Sequence, residues 1–107
     1  MDVFTIRDLR ERTGKLVRDA EGGRLSLVTK RGRSVFLAVP FDETVVQVGV
    51  APALAAKLFA DGTLTLAQGA RLAGDTVEGF IELLGALGVP AVDYPPDELD
   101  GELDALG

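Results

Sequence analysis

The chain of 107 residues has no cysteine and no histidine. Without cysteine there are no disulfides and no thiolate metal sites, which fits a reducing compartment. Without histidine the usual general base near neutral pH and the commonest transition-metal ligand are both missing. No apolar run approaches the roughly 18 residues that span a bilayer. The opening Met1-Asp2-Val3-Phe4-Thr5-Ile6-Arg7 lacks the basic start and apolar stretch of a secretory signal. Thirteen glycines form no phosphate loop and no dinucleotide fingerprint. Carboxylates are plentiful enough to hold Mg²⁺, but no phosphate-binding loop stands beside them. The expectation is a cytoplasmic protein that is not an enzyme and needs no cofactor and no membrane.

Positive charge is scarce in one half only. From Met1 to Val39, nine basic and five acidic residues leave a net +4; from Pro40 onward only Lys57 and Arg71 oppose twelve acids, a net −10. A basic head joined to an acidic tail predicts two surfaces for two different partners.

Along the head, Val3-Phe4-Thr5 reads as a short strand. Ile6, Leu9, Leu16, Val17 and Ala20 then follow helical spacing, interrupted by Thr13-Gly14, so two short helices are expected to meet there. Glu21-Gly22-Gly23 stops the second. Leu25 to Lys30 and Ser34 to Val39 are strand-like, and Arg31-Gly32 suits a tight hairpin turn. So small a β-α-α-β-β unit buries little by itself, and dimerisation would cover its sheet.

Phe41 to Val50 reads as a connector, with extended residues at Val45-Val46-Gln47-Val48. Helix signals follow: Leu54, Leu58 and Phe59 on one face; Thr65 capping a helix that Gly74 ends; Thr76 opening another with Val77, Phe80, Ile81, Leu84 and Leu87, ended by Gly88. Leu66 to Leu84 has the form of a helix-turn-helix. Its second helix, however, turns Thr76, Glu78, Glu82 and Gly85 outward with no lysine or arginine, and duplex DNA, with one phosphate per ~1.7 Å of axis, would repel it. Pro95 to Leu106 sets Leu99, Leu103 and Leu106 on one stripe amid acids. Such a stretch fills a partner's groove, packs on its own domain as a terminal helix, or is a frayed tail.

The candidate DNA contacts are Arg7 and Arg10 on one side of the first helix, with Lys30, Arg31 and Arg33 at the hairpin tip. Arginine forks engage phosphates and guanine edges, and the alternative is a solvated surface.

Thr5-Ile6-Arg7-Asp8-Leu9-Arg10, Leu16-Val17, Gly22-Gly23 and Leu27-Val28-Thr29-Lys30-Arg31-Gly32-Arg33 through Pro40 resemble the Phd/YefM antitoxin domain. The likeness implies a homodimer that binds its own operator and represses transcription. It places the first-helix basic residue at Arg10 and the hairpin one at Lys30 or Arg31. Leu9 stands where that family often has alanine, and the longer third helix is curtailed around Phe41 to Val46.

The second half, from Ala55-Ala56-Lys57-Leu58-Phe59 through Asp61-Gly62-Thr63-Leu64-Thr65 and Ala70-Arg71-Leu72-Ala73-Gly74 to Gly88-Val89-Pro90 and Asp93-Tyr94, resembles UPF0175. That likeness implies pairing with a PIN-domain ribonuclease toxin. The tail acids would compete for its RNA-binding residues, or Arg71 or Lys57 would reach its carboxylates.

The sequence therefore predicts an α+β protein of two parts. Residues 1–46 form a dimeric Phd/YefM-like DNA-binding domain, and residues 51–107 form a UPF0175-like, helix-turn-helix-like toxin-binding domain. The expected function is a type II antitoxin and autorepressor that forms a homodimer or a higher hetero-oligomer with its toxin. Its expected toxin contacts are Arg71, Phe80, Leu84, Tyr94, Leu99, Leu103 and Leu106. The alternative is a stand-alone transcriptional repressor with no toxin.

Overall fold

The computed structural model describes residues 1–91 and divides into two compact units, Met1–Asp42 and Glu43–Gly107. The described residues make a mixed α+β fold of one three-stranded sheet and six helices.

The first unit runs β1 (Asp2–Thr5), α1 (Ile6–Glu11), α2 (Thr13–Glu21), β2 (Ser26–Lys30) and β3 (Arg33–Ala38). Strand β2 lies in the centre, parallel to β1 and antiparallel to β3. Thr5 turns strand into helix through a capping box: its hydroxyl accepts from the Asp8 amide, and the Asp8 carboxylate accepts from the Thr5 amide.

The two-helix reading holds, but the break falls at Arg12 (φ −121°), one residue earlier than expected. Thr13 does not cap α2. It is the first helical residue, and its hydroxyl donates to the Leu9 carbonyl across the break. Phe4, Leu25 and Val28 are buried, and Arg12 and Lys15 lie over the Phe4 ring, which puts the helices on that face of the sheet. On the opposite face the register aligns Val3, Leu27 and Leu37 in a row across all three strands, with Val3 58% exposed.

The second unit begins with α3 (Glu43–Val48), followed by α4 (Val50–Ala60), α5 (Leu66–Ala73) and α6 (Val77–Ala86). Helix α3 corrects the extended reading of Val45 to Val48. Those β-branched residues favour strands by propensity, but the segment packs on α4, buries Val45 and carries a Gln47–Glu43 hydrogen bond at i,i+4. In α4 the fully buried residues are Ala53, Ala55 and Ala56, while Leu54, Leu58 and Phe59 are only half-buried. Small side chains let α5 close in on the α4 backbone.

The core gathers Ala55, Ala56, Leu66, Ala70, Phe80 and Leu84, with the Phe59 ring edge-on to Phe80 at 6.0 Å. A capping box at Thr65–Gln68 opens α5, left-handed Gly74 closes it, and the Thr76 hydroxyl caps α6, all as expected.

Candidate functional site

In the parallel pairing Thr5 lies opposite Thr29. Thr5 is the last residue of β1 and the cap of α1, whereas Thr29 immediately precedes the basic hairpin. One end of the sheet therefore carries both the start of α1, with Arg7 in its first turn and Arg10 at i,i+3, and the tip Lys30-Arg31-Gly32-Arg33. Sequence spacing separates these two loci by some twenty residues, and the register unites them. All five cations are exposed, and none forms an ion pair among the described residues.

The tip is a tight two-residue turn with left-handed backbone at both Arg31 (φ 53°) and Gly32 (φ 76°), the arrangement that suits a twisted hairpin. Past it, Ser34 pairs with Thr29 and Phe36 with Val28, so Val35 is an extra, unpaired residue in β3. The bulge leaves a shallow depression lined by Lys30, Arg31, Arg33, Ser34 and Val35. Three cations and a hydroxyl around a concave surface can hold an anion.

The opposite end of the sheet is neutralised internally. Lys15 bridges Asp2 at 2.5 Å and the buried Asp19 at 3.0 Å, and Arg24 stands 3.9 Å from Asp19. Hydrogen bonding to Asp19 and then to Lys15 holds the Asp2 carboxyl down to about 2, and the Asp2 and Asp19 carboxylates raise Lys15 above its ordinary value. Arg12 leans on Asp8 at 3.9 Å. Apart from Arg18 on α2, the unit's cations without an ion pair among the described residues lie where β1 and β2 end.

In the helical unit the expected toxin contacts separate into three groups. Arg71 is exposed on α5. Phe80 and Leu84 are 0% exposed, which corrects their reading as contact residues: their side chains build the core and offer a partner no surface. Tyr94, Leu99, Leu103 and Leu106 lie outside the described residues. Two apolar side chains that spacing does not single out as contacts, Leu72 and Ile81, are each 39% exposed. Ile81 escapes because it adjoins Phe80 and so reads with the inward stripe. Among the described residues no group of three or more acids could hold a metal ion, and no helix is long and apolar enough to cross a membrane.

Residues 33–107 match the profile of UPF0175, described as an uncharacterised protein family. The chain belongs to the UPF0175 family. No curated protein and no solved structure matches it. The family match starts at Arg33, the first residue of β3. It therefore takes in the whole helical unit and one strand of the sheet, while Arg7, Arg10, Lys30 and Arg31 precede it. The match gives no support to the Phd/YefM likeness of the first forty residues.

Proposed function

We propose that this UPF0175 member is the antitoxin of a type II toxin–antitoxin pair. Its first unit holds operator DNA through Arg7, Arg10, Lys30, Arg31 and Arg33, and its helical half binds a toxin, a PIN-domain ribonuclease. The observation that carries this reading is the concentration of five unpaired cations at one end of the sheet. The DNA backbone is the ligand such an end fits, since releasing counterions from phosphates drives association.

The head acts as a homodimer, doubling that end at a fixed spacing and covering the apolar row Val3-Leu27-Leu37. The acid-rich family stretch, which would be repelled by DNA, engages protein. The test is to measure binding of the full chain to the DNA upstream of its own gene and to the product of the adjacent open reading frame. Binding to both supports the antitoxin. Binding to the DNA alone leaves a repressor without a toxin.

A further inference from the structure

Helix α6 carries residues that the described part of its unit does not use. Three glycines lie inside α5 and α6. A Cβ on Gly69 would strike the buried Phe80 ring, so packing requires that glycine, and one on Gly79 would displace the exposed Asp75 carboxylate. Gly85 differs: no described residue lies within 4 Å of where its Cβ would stand, and its φ is not left-handed. A helical glycine is costly relative to alanine, and no close approach among the described residues offsets that cost here.

One turn earlier, Ile81 leaves 39% of its surface exposed. Glu78 and Glu82, a like-charged pair at i,i+4, have no ion-pair partner among the described residues, and α6 contains no cation. At about 100° per residue, Ile81, Gly85, Glu78 and Glu82 fall on one arc, roughly opposite Phe80 and Leu84. A glycine without a close neighbour, an exposed isoleucine and uncompensated carboxylates together mark a face that the described part of the unit leaves open.

We infer that this arc of α6 docks a helical segment of a partner protein rich in lysine or arginine. The partner backbone comes close at Gly85, an apolar side chain covers Ile81, and cations pair with Glu78 and Glu82. Charge selects this occupant. A second copy placing α6 against α6 would oppose four carboxylates, and nucleic acid would be repelled outright. The inference rests on the reading that the helical half binds the product of the adjacent gene, and it names the surface and the partner's chemistry.

The test is calorimetric titration of the full chain with that purified product. Gly85→Leu is expected to weaken binding about tenfold or more while the Tm stays equal to or above the parent's, a split that a purely structural role would not give. Glu78→Lys combined with Glu82→Lys is expected to weaken binding similarly and to flatten its salt dependence. If the complex forms and neither variant changes its affinity, the partner docks elsewhere: this inference is overturned while the antitoxin reading stands. If the variants instead shift the oligomeric state of the chain alone, the arc is a self-contact and the inference is again overturned. Absence of any complex with the parent chain overturns both.

Discussion

Thr5 and Thr29 face each other across the parallel strands β1 and β2. Each stands next to a basic locus, so their pairing turns two basic clusters into one end of a sheet. Two of the unit's acids, Asp2 and Asp19, lie at the other end, where Lys15 and Arg24 meet them. The first set of side chains is free to meet an anion, and the second holds the fold together.

Replacing one cation from each locus tests whether the end acts as a unit. Arg10→Ala with Arg31→Ala should weaken DNA binding at least about tenfold. It should also reduce the slope of log affinity against log salt by ~1.8, or ~0.9 for each phosphate that is no longer neutralised. Fluorescence anisotropy at several salt concentrations reads both, and an unchanged slope would remove these residues from the DNA.

The hairpin turn allows stability to be separated from binding. Arg31 holds a left-handed backbone that asparagine adopts more readily, so Arg31→Asn should stabilise the unit by about 0.5 kcal/mol. Gly32→Ala should cost about 1–2 kcal/mol, because a Cβ is strained at φ 76°. Amide hydrogen exchange of β2 and β3 would register opposite changes.

Two glycine-to-alanine variants in the helical unit should move in opposite directions. At Gly69 the new methyl meets the buried Phe80 ring, and overpacking should cost about 1–3 kcal/mol. At Gly85 it meets no described residue and should gain up to about 1 kcal/mol of helix propensity. Urea unfolding followed by circular dichroism compares the pair directly.

Acid should loosen the first unit in a defined window. The folded Asp2 carboxyl is held down to about 2 from an ordinary 3.8, so its contribution is complete above that ordinary value and is lost as pH falls toward 2. Lys15 is raised above 10.5, so its contribution is complete below that value and disappears only at strongly alkaline pH. Asp2→Asn should flatten the acid limb of a plot of urea midpoint against pH and leave the neutral plateau lower.

Much of this fold is legible in local chemistry. Thr65, Gly74, Thr76 and Gly88 punctuate the last helices where capping rules place them, and Arg31-Gly32 announces the hairpin. What escapes is set by tertiary partners. Val45 to Val48 read as extended because β-branched residues favour strands, yet packing on α4 makes them helical. The α4 face that Leu54 and Leu58 suggest is centred on alanines, since close helix approach selects small side chains. The candidate cations are visible one by one in the sequence. Their meeting is not, because it depends on β1 pairing parallel with β2, a long-range choice that spacing does not encode. Phe80 and Leu84 pass for contacts because an apolar stripe looks the same whether it faces a partner or its own core.

The start of the family match at Arg33 has a practical meaning for truncation. It separates β3 from β2, the strand that supplies its hydrogen bonds. A fragment beginning there would expose an unpaired edge bearing Val35, Phe36 and Leu37, an open template for aggregation. It would have to recruit another copy's strand to quench that edge, and any assembly measured on it would report the cut and not the native chain. A fragment starting at Glu43, where the second compact unit begins, leaves β3 with its sheet.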